Sequence, residues 1–378
     1  MEAPAELLKQ RREAFCADIQ EAAQWSGLSA ERMAAIEAGE SFSATEFEQI
    51  CNGLAISPAE LLTATSASPH RSVARFRSSL QNSGMFVARD FRLTAVAAEI
   101  GRMLGHLLNL MDKSPSFHQF RKAHGPARDL RPWEDGYTRG EEARKMIEPP
   151  TGPIRHLERS MNRFGVHVAE AHFETPGIEA ASVWEHGAVP VILLNESARR
   201  VSYAPARRAI ITHELCHLLH DGGEDEIAIR ATSGEGTGNY NEAVEQRARA
   251  FAPAFLAPRD QVREWAAARG SRDDPESLVH SLAAYWGMSF EGAIWHAKNC
   301  GLIAPESAEN LHKQNAQPHL PVEDFEAEDM SPSGLQDYPE LQEIVTSLMK
   351  GLASAIVTEA LKESVISFGR AKELLAQR

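Results

Sequence analysis

The residues best suited to chemistry lie in Ile211-Thr212-His213-Glu214-Leu215-Cys216-His217-Leu218-Leu219-His220-Asp221. His213 and His217 are four apart, so on a helix they share one face, a turn from each other. Two imidazoles aimed at one point suit a tetrahedral Zn²⁺. Glu214 projects from the neighbouring line of the helix, where a carboxylate can hold and deprotonate a water activated by the metal. Ile210, Ile211, Leu215, Leu218 and Leu219 make the flanks apolar. A charged Glu beside two His in a buried helix is costly unless something compensates it, and a metal ion would. The plainer alternative is a hydrogen-bonded His pair in a core or on a surface, because H-E-x-x-H specifies few positions.

A catalytic Zn²⁺ takes three protein ligands and keeps a fourth position for water. His220 shares the face of the pair but lies seven residues beyond His213, about 10 Å along the axis, too far to meet the same ion. The third ligand must come from elsewhere. In Asn241 to Pro258, Ala248, Phe251, Ala252, Phe255 and Leu256 form one apolar stripe, which Glu245 continues towards the N-terminus. A carboxylate aligned with a buried face needs a cation. Glu242, one turn earlier, is the weaker candidate. The alternative role for Glu245 is a helix-start charge favoured by the helix dipole.

The elements that must position these residues begin after Pro149-Pro150, which mark a boundary. Pro153 to Phe164 reads as an amphipathic helix ended by Gly165. Val166 to Phe173 alternates as a half-buried strand, Ala181 to Trp184 begins a second, and Val189 to Asn195 is a third. Ala204 to Asp221 follows as a helix. A small sheet followed by this helix is the start of a zincin-like layout, in which an edge strand beside the cleft can pair with an extended peptide.

The Thr-His-Glu-Leu-x-His helix and the later Glu-x-x-Ala-x-x-Phe-Ala-x-x-x-Leu-x-Pro segment together resemble the ImmA/IrrE metallopeptidase family. Pro176-Gly177, Ala181-Ser182, Pro190-x-Ile192-x-Leu194-Asn195 and Arg207-Arg208 fit it upstream. Leu282 to Ser289, Ala293-Ile294-Trp295 and Leu302-Ile303 resemble its C-terminal, helix-turn-helix-like segment. The resemblance covers roughly residues 150–303, with several motifs in order. It implies that His213 and His217 are zinc ligands, Glu245 the third, and Glu214 the general base. It also implies cleavage of regulators such as repressors or antitoxins. Cys216 stands where the family usually has Gly, and Pro253 where it usually has a helix former, so a kink is expected there. Tyr203 and Tyr240 are entertained for oxyanion stabilisation without a pattern that selects either.

Residues 5–62 read as short helices. Asp18 opens one, Gly27 ends it, and Ser29 caps the next, which closes before Gly39. Helix, short Gly-containing turn, helix is the helix-turn-helix layout. Gln20-Glu21-Ala22-Ala23, Gly27-Leu28-Ser29 and Met33 to Gly39 resemble the phage-repressor (Cro/C1, XRE) type. The second of these helices offers only Ser29, Glu31 and Arg32 as polar readers of DNA, and one Arg is little for base edges. Ile19 occupies the place of the family's usual Gln. A helical interaction module without DNA binding is the alternative.

These segments predict an α+β, mostly helical chain. A five-helix helix-turn-helix domain (1–65) leads into a helical connector (66–148). A zincin-like domain with a small three-strand sheet follows (149–303), then a C-terminal loop and helical tail (304–378). In the connector, Ala95 to Leu110 reads as an apolar helix broken by Gly101 and Gly105. In the tail, Leu341 to Ala376 reads as helical, either closing the core or serving as an oligomerisation or sensor segment.

A hydrophobic share of 43 % against 24 % charged residues fits a soluble globular protein, and 378 residues suffice for two or three domains. No apolar run approaches the ~20 residues of a membrane span. The acidic N-terminus lacks a signal-peptide pattern. Four scattered cysteines without a C-x-x-C pair point to reduced thiols, hence a cytoplasmic location. A net charge of −14 argues against non-specific coating of nucleic acid, but not against one local DNA-reading element. Residues 1–62 hold four Lys/Arg against eleven Asp/Glu, and residues 71–132 eleven against four, so the segments could neutralise each other or the second could face phosphates.

Two functions compete. One is a zinc endopeptidase with a single catalytic Zn²⁺, joined to a DNA-binding-type module in stress, phage or mobile-element regulation. The other is an XRE-type transcriptional regulator whose peptidase-like domain senses a signal without cutting. A toxin–antitoxin or phage-defence role through protein binding is a third. Expected partners are a repressor or antitoxin as substrate, operator DNA, and a second copy in a homodimer; no membrane is expected.

Overall fold

The computed structural model describes residues 2–14, 17–56, 58–63, 88–123, 130–147, 151–175, 177–221, 228–233, 242–269, 274–314 and 335–377. Five helices come first: α1 (Glu2–Ala14), α2 (Ile19–Ser26), α3 (Ala30–Glu37), α4 (Ala44–Gly53) and α5 (Pro58–Thr63). Asp18 and Glu21 form a reciprocal capping box at the start of α2, and Gly27 ends that helix at φ 64°. Ser29 caps α3, and Ser43 with Glu46 caps α4. Leu7, Leu8, Ala22, Met33, Ile36, Ile50 and Leu54 fill the core between them. Arg12 grips Glu37 with two bonds of 2.8 and 2.9 Å, tying α1 to α3.

The sheet has strands β1 (His167–Ala171), β2 (Ile178–Trp184), β3 (Val191–Asn195) and β4 (Ala228–Ser233), in the order β1-β3-β2-β4. β1 runs parallel to β3; β2 is antiparallel to both β3 and β4. The three expected strands are present, and β4 widens the sheet beyond them. β2 begins at Ile178, three residues before the expected Ala181. β3 begins at Val191, because the Val189 amide is drawn to the Gly101 carbonyl instead.

Side chains alternate across the sheet, as strand geometry requires. Ala169, Ala171, Ala181, Val183, Val191 and Leu193 face one core; Val168, Ala180, Trp184, Ile192 and Leu194 face the other. Helix α6 (Ala88–Leu110) covers the first face. It is continuous through Gly101 and Gly105, where a break was expected. These glycines serve close approach: a Cβ on either would fall 2.4 Å from the carbonyl oxygen of Val189 or Gly187. The C-terminal chain packs on the same side. Its expected long helix is divided into α16 (Pro339–Gln342), a 3₁₀ turn at Ser347–Met349, α17 (Leu352–Lys362) and α18 (Phe368–Leu375). Leu348, Ile356 and Leu374 belong to that core, with Ile344, Leu352, Leu361 and Ile366 packed against it.

On the other face lie α7 (Phe117–Ala123), α9 (Leu157–Phe164), α10 (Ala204–His220) and α11 (Glu242–Leu256), and α11 is backed by α8 (Pro132–Arg144). α11 continues through Pro253. Helices α12 (Arg259–Arg269), α13 (Pro275–Trp286), α14 (Phe290–Asn299) and α15 (Pro305–Gln314) enclose a further core around Val262, Leu282, Trp286, Ile294 and Leu311. Arg208 on α10 joins this bundle to the sheet layer, donating to the carbonyls of Gly287 (3.1 Å) and Ile154 (2.7 Å). Among the described residues, no helix is long and apolar enough to cross a membrane.

Candidate metal centre

α10 is buried along almost its whole length, between the sheet and α11. His213 is 6 % exposed, His217 2 % and Glu214 not at all. The helical turn brings the two imidazoles together as expected: their Nε2 atoms are 3.0 Å apart. Glu245, on the first turns of α11, completes a triangle. One carboxylate oxygen lies 3.3 Å from His213 Nε2 and the other 3.4 Å from His217 Nε2. Four ligands at ~2.0–2.1 Å around a tetrahedral ion stand roughly 3.3–3.4 Å from one another. The three contacts, the last two made by different oxygens of one carboxylate, are close to that spacing, and the donors are the nitrogen and oxygen types that zinc takes. Among the described residues, His213, His217 and Glu245 are the one group of three such side chains close enough to hold a metal.

The charges fit a cation site. Burial pulls the Glu245 carboxyl upward, but the hydrogen bond to His213 and the charges of His217, His213 and Arg249 hold it below the usual carboxylate range. Burial pulls His217 downward, yet the bond to Asp221 and the charges of Glu214, Asp221 and Glu245 raise it. Asp221 caps the C-terminal end of α10, and its Oδ2 accepts a 2.7 Å bond from His217 Nδ1. With the proton on Nδ1, the Nε2 lone pair faces His213 and Glu245, which is the tautomer a metal ligand needs.

His220 is turned away from the triangle. Its Nδ1 accepts from Arg139 on α8 at 2.7 Å, and its ring meets Phe251 edge-on. Glu242 is exposed and stands outside the cluster. Cys216 is fully buried, and burial pushes its thiol far up. Tyr203 lies just before α10, ten residues and about 15 Å of helix axis from His213; Tyr240 falls outside the described residues.

The three residues expected to read DNA sit apart from this centre, around the start of α3. Ser29 Oγ accepts from the Arg32 amide at 3.1 Å as a cap. Glu31 is exposed; hydrogen bonds from its own backbone and from Ser29 lower its pKa. Arg32 is engaged by Glu46 (2.6 Å), Glu40 (3.0 Å) and the Ser41 carbonyl (2.6 Å).

Sequence reasoning missed Asp221 and Arg247, which meet in an ion pair behind His217. The four-residue step from His217 to Asp221 was the available signal, since it places the acid on the ligand's own face. Arg247 gave none, lying off the apolar stripe of α11.

Residues 161–294 match the family model of the IrrE N-terminal-like domain, a peptidase family. The match spans β1 to β4, α10, α11 and part of the bundle beyond, and so contains the whole triangle. No curated protein and no solved structure matches the chain.

Proposed function

We propose that the protein is a zinc-dependent endopeptidase of the H-E-x-x-H type. His213, His217 and Glu245 are its metal ligands and Glu214 is its general base. The observation that carries this reading is the His213–His217–Glu245 cluster, with the imidazole Nε2 atoms 3.0 Å apart and 3.3 and 3.4 Å from the two oxygens of the carboxylate, inside a segment matched by a peptidase family. Bound Zn²⁺ would supply Lewis acidity to a peptide carbonyl and bring water within reach of deprotonation near neutral pH.

The remaining work falls to the chain. Glu214 takes the proton of the attacking water and returns it to the departing amine. Its burial beside the imidazole pair excludes bulk water from that transfer. Strand β4 pairs with β2 on one side and forms the sheet edge nearest α10 among the described residues, a place for an extended substrate segment to add by backbone hydrogen bonds.

The substrate in this reading is a regulatory protein, a repressor or an antitoxin, met in the cytoplasm. Helices α1–α5 act as a DNA-binding-type module that brings the peptidase to operator DNA as a homodimer. The capped succession of α2, Gly27-Leu28-Ser29 and α3 supports that role. The experiment is metal analysis of the purified protein, with mass spectrometry of the adjacent gene's product after incubation. Zinc near one equivalent and defined fragments are expected. Glu214→Gln should keep the metal and lose cleavage; unchanged cleavage by that variant would remove Glu214 from the mechanism.

A further inference from the structure

Behind His217 runs a chain of buried and half-buried charges that crosses three helices. Asp221, with a side chain 5 % exposed, accepts from His217 Nδ1 through one oxygen and from Arg247 of α11 through the other. Arg247 stands 4.0 Å from Asp135 on α8. Asp135 accepts a 2.6 Å bond from Arg139, whose guanidinium donates to His220, back on α10. Ion pairs this deep are poor sources of stability, because desolvation offsets most of their attraction. A run of four such charges against the candidate ligand, three of them buried and Arg247 half-buried, calls for another role.

Resting on the metal-centre reading above, we propose that Asp221 and Arg247 are positioning residues for that centre. Asp221 can only accept, so it fixes the His217 proton on Nδ1 and leaves Nε2 with a lone pair towards the ion. Arg247 holds the Asp221 carboxylate in place and compensates its buried charge. Arg247 follows Glu245 by two residues on α11. The same turn thus delivers the ligand carboxylate and clamps the acid that orients the ligand imidazole. Docking of α11 on α10 sets both at once.

Asp221 also caps α10 through its backbone, so a purely structural role must be separated from positioning. Asp221→Asn keeps that backbone bond but offers one acceptor oxygen to two donors, His217 and Arg247. The probe is Co²⁺, titrated into chelator-stripped full-length protein and followed by calorimetry and the visible ligand-field bands. Circular dichroism checks the fold of each variant. Asp221→Asn and Arg247→Gln are expected to bind Co²⁺ about 10–100-fold more weakly, with altered bands at saturation, and Arg247→Lys to recover part of the loss. A folded Asp221→Asn with wild-type affinity and wild-type bands overturns the proposal. If that variant does not fold, Arg247→Gln decides by the same readings. Wild-type protein that takes up no Co²⁺ defeats the metal centre itself, a different result from a loaded wild type matched by its variants.

Discussion

Gly140 on α8 lies so close to Phe251 on α11 that a Cβ there would fall 2.5 Å from the Phe251 carbonyl oxygen and 2.9 Å from the Ala254 methyl. Gly136, one turn earlier, makes the same approach to the Arg247 carbonyl at 2.2 Å. The obstructing atoms are mostly backbone and cannot swing aside. α8 therefore fixes the position of the helix that carries Glu245. Gly140→Ala should force α11 away and cost about 1–3 kcal/mol or more by overpacking. A lower Tm together with weaker metal binding is expected; a fall in Tm with metal affinity intact would show that α8 stabilises without positioning the site.

Removing the metal should loosen the same region. A ligand that binds only the folded protein adds about 2.7 kcal/mol when present at 100 times its Kd. Two imidazoles 3.0 Å apart beside a half-buried carboxylate gain most from a cation between them. Tm measured in zinc and then in excess chelator should differ clearly for the wild type. The difference should nearly vanish in Glu245→Ala, and persistence in that variant would place the ion elsewhere.

Much of this centre was legible in the sequence, because its signals are local. The four-residue step of His213 and His217 and the apolar stripe leading to Glu245 follow from helix periodicity alone. Asp18, Gly27 and Ser29 announce their caps through side-chain and backbone chemistry of the nearest residues. What stayed hidden depends on distant partners. β4 owes its existence to pairing with β2, about fifty residues earlier in the chain. Asp135 and Arg139 are buried because α11 packs on α8, a contact between segments about a hundred residues apart. The engagement of Arg32 by Glu46 and Glu40 depends on how α3 meets α4, which no local pattern encodes.

Acid should destabilise the junction between the sheet layer and the α12–α15 bundle. His296 is buried there, its Nδ1 accepting from Tyr137 (2.9 Å) and its Nε2 donating to the Ala257 carbonyl (2.7 Å). Burial pushes its pKa down to about 4. The folded state thus binds fewer protons than the unfolded state between pH ~6.5 and ~4. Its contribution is complete above pH ~6.5 and is lost as pH falls through that window, an effect on the order of 1–3 kcal/mol. Tm measured from pH 7.5 to 4.5 should fall less steeply in His296→Gln than in the wild type. Parallel profiles would remove His296 as a source of acid sensitivity.

The N-terminal helices make a sharper demand on Arg32 if they read DNA. Its guanidinium must leave Glu46, Glu40 and the Ser41 carbonyl before it can reach a base edge. That pairing with Arg32, helped by the Ser43 amide, holds the half-buried Glu46 down to about 2. Releasing the Arg should therefore help binding. Glu46→Gln is expected to tighten binding to a labelled duplex and to steepen its salt dependence, since one more cation becomes available to phosphates. Arg32→Ala should lose both effects. Ser29→Ala acts differently, removing the α3 cap at a cost of about 1 kcal/mol and lowering the Tm. Fluorescence anisotropy across a salt series separates these outcomes. Equal, weak binding by wild type, Glu46→Gln and Arg32→Ala would leave α1–α5 as a protein-binding module.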